Sequence, residues 1–205
     1  MNTPPYRPLA MPAGASRRRL EVFSPKLGRR LSLSSYDAWR CWLMLEANPA
    51  VQTFCERPAR LHPGTAPMLD FWVSLTSNPA GEFWLLVDDT GDSPSDPPLP
   101  RAAHGLSLRP ITPAVLASLA VPLANWAQIV PFLVSFRNLR QPLLEQSIMV
   151  EIGGWTPLGT LLDRFADHDS SDVQAAVFWL VAAGRALSPD LAAVPLTRAT
   201  RFRRR

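Results

Sequence analysis

Apolar residues change their spacing several times between residues 34 and 109, and this order constrains the fold more than any other feature. Residues 34–46 carry apolar side chains at helical spacing, with Ser34 or Ser35 available as the cap. Short apolar runs with the length of strands follow at residues 51–54, 69–75 and 82–87. The turn-prone stretch between the last two runs suits a hairpin connection. A helix followed by several strands predicts an α/β fold.

The chain becomes mainly helical after these strands. A further strand is predicted at residues 105–109, and Thr112-Pro113 has the composition of a helix start. Another helix is predicted at residues 124–136, where Pro131 can introduce a kink or a break.

The composition changes again after about residue 138. Helices are predicted at residues 155–165 and 173–183, with the cap of the second at residues 170–172 and Gly184 at its end. A helix, a turn, a second helix and a short extended segment form the outline of a winged-helix module. The predicted domains are therefore a basic arm at residues 1–30, a core at residues 31–137 and a helical domain with a basic tail at residues 138–205.

Basic residues crowd both ends of a chain whose formal net charge is only +4. Such ends suggest arms that bind phosphate, and the alternative is a pair of solvated, disordered tails. Residues 1–30 lack periodicity and are predicted to become ordered only on a partner. The predicted DNA-binding residues are Arg17, Arg18, Arg19, Lys26, Arg29 and Arg30 at one end and Arg201, Arg203 and Arg204 at the other.

Several classes of function are disfavoured by composition. The two cysteines, Cys41 and Cys55, belong to no ligand cluster, and the three histidines are too far apart in sequence for a zinc site. No apolar run reaches the roughly 18 residues that a membrane span requires, so no membrane partner is expected. The expected location is a reducing bacterial cytoplasm, in association with DNA.

Short motifs keep their order and spacing through the first half of the chain. They are Lys26-Leu-Gly-Arg29, Ser34-Ser-Tyr-Asp-Ala38, Glu46-Ala-Asn-Pro-Ala-Val51, Cys55-Glu-Arg-Pro58 and Leu69-Asp-Phe-Trp-Val73. This series resembles the nuclease core of TnsA, the endonuclease subunit of heteromeric cut-and-paste transposons. The matching segments of that family read roughly K-x-G-R, E-S-x-x-E, L-E-x-D-P-x-V, x-E-Q-P and P-D-F-x-V.

The second half of the chain is similar to the same family. Gly184, Asp190-Leu191 and the run from Pro195 to Thr200 stand where the family closes a helix and continues with D-L and P-L-x-x-x-T. The resemblance implies a restriction-endonuclease-like core of the PD-(D/E)xK type followed by a small helical domain that resembles a winged helix.

The resemblance also implies a particular active site. Nucleases of this type need a carboxylate on a helix, an aspartate at the start of one strand, and an acidic or polar residue plus a lysine on the next strand. The carboxylates hold one or two Mg²⁺ ions, and the lysine positions or activates water.

Most of these groups are missing here. The helix glutamate of the family falls on Ala38, and Asp37 lies one helical step away, a rotation of about 100°. The strand aspartate falls on Asp70. The last strand offers Leu85-Leu-Val87 or Leu86-Val-Asp88 in place of E-x-K, and no lysine follows Lys26. Arginine is a poor substitute because it stays charged.

The sequence therefore predicts a degenerate nuclease. Asp70 is a remnant of the site, or simply a surface aspartate at a strand start, and Asp37 and Asp88 are the substitutes that would complete an unusual metal site. No cofactor is expected, with Mg²⁺ at Asp70 if the site is active. The family implies transposon ends, a DDE-type transposase and an ATPase regulator as partners, so the predicted role is architectural.

Two alternatives stay open. One is an active Mg²⁺-dependent endonuclease that cuts transposon 5′ ends with Asp37, Asp70 and Asp88. The other is a winged-helix module that binds DNA or a partner without any role in transposition. The seven tryptophans allow either base stacking or core packing, and their positions beside Leu and Val favour the core.

Overall fold

The computed structural model describes residues 5–11, 19–60, 68–87 and 107–205. The chain divides into two compact units. The N-terminal unit comprises Met1–Leu45 and Ala50–Ser118, and the C-terminal unit comprises Glu46–Pro49 and Leu119–Arg205. The predicted core boundary at residue 137 lies inside the second unit, because the helix before it packs against later helices.

The N-terminal unit is mixed α/β. Its elements within the described residues are β1 Leu20–Ser24, β2 Arg29–Leu33, α1 Tyr36–Ala47 (whose last residues belong to the second unit), β3 Val51–Glu56, β4 Phe71–Leu75, β5 Asn78–Leu86, β6 Ser107–Ile111 and α2 Pro113–Ser118.

A four-stranded mixed sheet in the order β3-β4-β5-β6 forms the centre of this unit. The first three strands pair antiparallel, and β6 pairs parallel to β5. The strands β1 and β2 form a separate antiparallel hairpin with Leu20 opposite Leu33. The parallel pair requires a crossover connection between β5 and β6, and most of that connection lies outside the described residues.

Apolar side chains cover both faces of the sheet. On one face, Cys55, Trp72 and Phe83 form a buried cluster, and the ring of Tyr6 packs 5.5 Å from the rings of Trp72 and Phe83. On the other face, Phe54 and Phe71 make an edge-to-face pair with ring centroids 6.3 Å apart. Strand residues alternate between faces, so the continuous apolar runs in the sequence reflect a sheet that is buried on both sides.

The C-terminal unit is mainly helical. Its elements are α3 Ala120–Ser135, α4 Pro142–Glu151, β7 Thr156–Pro157, α5 Leu158–Arg164, α6 Ser170–Ala182, β8 Ala186–Leu187, α7 Asp190–Ala193 and β9 Arg201–Arg204. Helix α6 is central, since α3, α4 and α5 all contact it. The strands form a small antiparallel sheet in the order β7-β9-β8.

The local signals for helix ends are largely confirmed. The hydroxyl of Ser35 accepts a hydrogen bond from the amide of Ala38, and that of Thr112 accepts one from Val115. Gly184 follows α6 with a φ of +69°, a conformation that favours glycine. The cap of α6 differs from the prediction, because Asp169 rather than residues 170–172 accepts the amide of Ser171.

The predictions for the two ends of the chain need correction. The arm at residues 1–30 was expected to order only on a partner, but residues 19–30 contribute to the β1–β2 hairpin and residues 5–11 pack on the core. Leu9 and Arg57 exchange two hydrogen bonds, which explains why this aperiodic segment is held. The basic tail is also part of the fold, because Phe202 in β9 is fully buried.

Helix α4 was missed because its polar and apolar residues show little segregation along the sequence. Pro142 at its start is the signal that could have found it. None of the helices in the described residues combines the length and the apolarity of a membrane span. The α/β class is confirmed at the level of a mixed four-stranded sheet with helices.

Gly81 provides a test of the packing at the sheet. Its φ is +86°, and a Cβ at this position would overlap the indole of Trp72. We expect Gly81→Ala to lower the free energy of unfolding by roughly 2–4 kcal/mol, from backbone strain plus overpacking. Urea denaturation measures the change. Gly154→Ala is the matched control, since a Cβ there meets nothing within 4 Å, and an equal loss in both variants would contradict the packing described.

Candidate functional site

Asp70 lies directly before β4, at the position predicted for the strand aspartate. Its Oδ2 accepts a hydrogen bond of 2.7 Å from the amide of Leu86 at the end of β5. Its backbone amide donates to Trp84, and its carbonyl accepts from Arg57. At least one carboxylate oxygen therefore stabilises the β4–β5 pair.

The negative charges of Asp37 and Asp70 both act on the buried thiol of Cys41. Burial raises the pKa of Cys41 to about 12, and the charges of Asp70 and Asp37 add to the shift. Asp37 and Cys41 are one helical turn apart on α1. Asp37 is half-exposed and lies 3.4 Å from the guanidinium of Arg40.

The end of β5 supplies no side chain for metal or proton chemistry within the described residues. Leu85 and Leu86 stand at the position of the expected acidic residue, and Asp88 lies outside the described residues. Within the described ranges, no group of three or more His, Cys, Asp or Glu is arranged to hold a metal ion. Asp70 and Asp37 are thus the two predicted carboxylates that the structure places.

Lys26 is the only lysine of the chain, and its side chain makes a structural hydrogen bond. Its Nζ donates a 2.8 Å hydrogen bond to the carbonyl of Leu45 near the end of α1. This contact joins the turn after β1 to the helix, and a cation near the helix C-terminus is electrostatically favourable.

Arg29 forms the most buried ion pair of the N-terminal unit. Its guanidinium makes two parallel hydrogen bonds to Glu56, of 2.9 and 2.6 Å. The Glu56 side chain is 4% exposed and that of Arg29 is 35% exposed. The hydrogen bond from Glu56 raises the pKa of Arg29. The pair connects K-x-G-R to the Cys55–Pro58 segment, a link that sequence reasoning did not detect.

Arg57 follows this pair in a left-handed conformation with a φ of +46°. Its Nε donates to the carbonyl of Leu9, and a second guanidinium nitrogen donates to Ser32. Burial lowers the pKa of Arg57. One side chain therefore joins the N-terminal segment, β2 and the loop before β4, which explains why a non-glycine residue occupies this conformation.

The other basic residues near the N-terminus differ in how free their side chains are to bind phosphate. Arg19 pairs with Glu21 and bonds Ser32, whereas Arg30 is exposed. Arg17 and Arg18 lie outside the described residues.

The C-terminal arginines line strand β9. Arg201 makes a bidentate pair with Asp190, which holds the pKa of that carboxyl at about 2 through the side-chain hydrogen bond. Arg203 places its guanidinium carbon 4.5 Å from the ring centroid of Trp155. Arg204 is exposed. Among the described residues, no ion pair engages Arg203 or Arg204.

Helix α6 is the helix that the predicted winged-helix module would present to DNA, but it lacks basic residues. Its sequence contains neither lysine nor arginine, and six of its residues are buried. Asp172 lies in its first turn. This helix therefore offers little to a phosphate backbone.

A cleft of about 320 Å³ lies beside α6. Its lining mixes apolar and amide side chains, and Arg198 is the titratable residue among them. Arg198 already pairs with Asp163 at 2.7 Å. The cleft thus lacks the acid–base groups of a hydrolytic site.

Most tryptophans belong to the core, as predicted. Trp42, Trp72, Trp84 and Trp126 are at most 5% exposed. Trp39 and Trp179 are partly buried, and Trp155 is the most accessible at 43% exposed.

The Arg29–Glu56 pair generates a stability prediction. We expect Arg29→Ala to lower the free energy of unfolding by roughly 3 kcal/mol, because Glu56 would be left buried without its partner. Arg30→Ala, at the exposed neighbouring position, should change it by at most about 0.5 kcal/mol. Urea denaturation of both variants measures the difference, and equal stabilities would show that Glu56 needs no counter-charge.

The two thiols generate a pH prediction. Burial raises the pKa of Cys41 and of Cys55 to about 12. An unfolded thiol ionises near pH 8.5, so this contribution to stability is complete below about pH 8.5 and is lost as the pH rises toward 12. We expect no reaction with Ellman's reagent at pH 8 in the folded protein and two reactive thiols in denaturant. Rapid labelling of the folded protein would contradict the buried placement.

Comparison of the chain with protein-family models and with curated proteins finds no match.

Proposed function

We propose that this protein is a TnsA-like subunit of a DNA transposition complex that has lost its nuclease activity and acts in assembly. In this role it binds transposon-end DNA, the DDE-type transposase, or both, and leaves strand cutting to other subunits. The observation that carries the proposal is the order of elements around Asp70.

The N-terminal unit supports a restriction-endonuclease-like core. Helix α1 precedes the sheet, Asp70 stands at the entry to β4, and β5 lies antiparallel beside it. A nuclease of the PD-(D/E)xK type needs its three groups at these places.

The C-terminal unit supports a winged-helix-like domain. Helices α5 and α6 are joined by a short turn, and β8 and β9 follow as antiparallel partners. The strand β7 before α5 completes a sheet in the order β7-β9-β8. A helix-turn-helix with adjoining strands is a common frame for contact with DNA.

The proposal that the nuclease site is inactive rests on the groups that the site lacks. A water nucleophile needs a metal or a base, and the described residues provide two aspartates without a third ligand or a lysine at the site. Lys26 donates to a backbone carbonyl, and Asp70 accepts a backbone amide. Asp70, the remnant of the nuclease site, and Lys26, a predicted DNA-binding residue, therefore both make contacts that maintain the fold.

An architectural role needs exposed basic side chains that can contact DNA, and each unit has its own. Arg30, Arg203 and Arg204 are exposed and suited to phosphate oxygens. Contacts of this kind position a protein on DNA without reading its sequence.

Cleavage and assembly can be measured together. We expect the chain to join a complex of transposon-end duplex and transposase, and to add no Mg²⁺- or Mn²⁺-dependent cut at the 5′ ends. Asp70→Asn should leave both results unchanged, because the amide oxygen can still accept the hydrogen bond from Leu86. Gel-shift assays and end-labelled cleavage products provide the two readouts.

Each alternative predicts a different result. Cutting by the wild-type chain that Asp70→Asn abolishes would identify an active endonuclease in which Asp88 completes the site. Binding to DNA or to a partner without any effect on the transposase would favour a module outside transposition.

A further inference from the structure

We propose that Trp155 and the arginines around it form a platform that stacks an unpaired nucleobase and holds the phosphates beside it. This inference rests on the proposed function in taking nucleic acid as the partner. It adds that the C-terminal unit prefers a strand with unpaired bases, at an end, an overhang or a junction, to continuous duplex.

The small sheet places Trp155 beside Arg203. Thr156 pairs with Phe202, and this antiparallel register sets the preceding residue, Trp155, opposite Arg203. The guanidinium lies over the ring at 4.5 Å from its centroid, yet 43% of the tryptophan stays accessible. A cation over one face of an indole orients the ring and keeps positive charge beside it.

Part of the indole is open to solvent, since Trp155 is 43% exposed. Two glycines, Gly153 and Gly154, precede it, and a Cβ at Gly154 would meet no atom within 4 Å. The exposed tryptophan therefore follows a turn without bulky side chains.

Strand β9 supplies the charges. Within β9, Arg201 and Arg203 lie on one face, and Phe202, whose burial keeps the strand in place, lies on the other face with Arg204. Side chains two positions apart on a strand are about 6.7 Å apart, comparable to successive phosphates of an extended nucleic-acid strand. The amide of Arg205 donates to the carbonyl of Arg185, which brings a further arginine to this end of the sheet.

These arginines have few competing partners. Arg203, Arg204 and Arg205 make no ion pair with the described residues, whereas Arg201 is occupied by Asp190. Arg185 lies 3.7 Å from Glu145, a carboxylate that Arg140 already binds at 2.8 Å. Net positive charge therefore remains at the platform.

The remaining elements explain why the contact needs an unpaired base. Helix α6 has no basic residue, and Asp172 in its first turn disfavours phosphate. It is therefore poorly suited to read bases in a groove. A base that is paired within a duplex is stacked on both faces, so an exposed indole can bind only a base that has left the stack.

The test uses the full chain and fluorescence anisotropy with two labelled probes, a blunt duplex and the same duplex with a short single-stranded overhang. We expect tighter binding to the overhang probe, and Trp155→Ala should remove that gain, a loss of about tenfold or more. Trp155→Phe should restore part of it because a smaller ring still stacks. Tyr36→Ala is the matched control, since Tyr36 is 65% exposed on the other unit.

The salt dependence tests the arginines. Replacing Arg203 and Arg205 by alanine should lower the slope of log affinity against log salt by about 0.7 for each single-strand phosphate that the variant no longer neutralises. Arg198→Ala is the control, because this side chain is 65% exposed but pairs with Asp163.

The outcomes separate this inference from the proposed function. The platform is overturned if the two probes bind equally well, or if the tighter binding to the overhang probe survives Trp155→Ala. In either case, binding to the blunt duplex would leave the proposed role in transposition intact. If the protein binds neither probe, the platform is also overturned, and the proposed function is then tested separately by assembly with the transposase.

Discussion

The buried carboxylate of Glu56 is the contact on which the N-terminal unit depends. It ends β3 and binds the guanidinium of Arg29 through two hydrogen bonds. The next residue, Arg57, adopts a left-handed backbone and links Leu9, Ser32 and the carbonyl of Asp70. Two adjacent residues thus hold a hairpin, an N-terminal segment and the entry to β4 in fixed relation.

Asp70 has a structural role that is independent of any catalysis. Asp70 is held by its own backbone bonds and caps the end of β5 through its carboxylate. Selection for stability alone would retain such a residue, because an unpaired amide at Leu86 costs about 1–3 kcal/mol if buried. Lys26, predicted to bind DNA, also has a structural contact, since it donates to Leu45. In the proposed function, Asp70 survives as a remnant of a nuclease site because it is part of the fold.

Helix caps, helix-ending glycines and apolar periodicity predicted much of the fold. Contacts between residues that are distant in sequence could not be predicted from them. The cap at Ser35 and the glycine after α6 are determined within a few residues, so both were found. Strand β9 was not predicted, because its arginines are typical of a solvated tail. Only the burial of Phe202 in the core shows that the segment belongs to the fold. The hairpin of β1 and β2 escaped notice because its register joins residues whose patterns are weak alone.

The candidate site was predicted only in part. The α/β class, the place of Asp70 at a strand start and the lack of a lysine near it could all be inferred from the sequence, because helix caps, strand periodicity and residue identity act locally. The pairing of Arg29 with Glu56 and the position of Trp155 against Arg203 emerge only in the folded chain, since these residues are distant in sequence. Pairing between distant residues follows from sheet register and burial, which no short window of sequence contains.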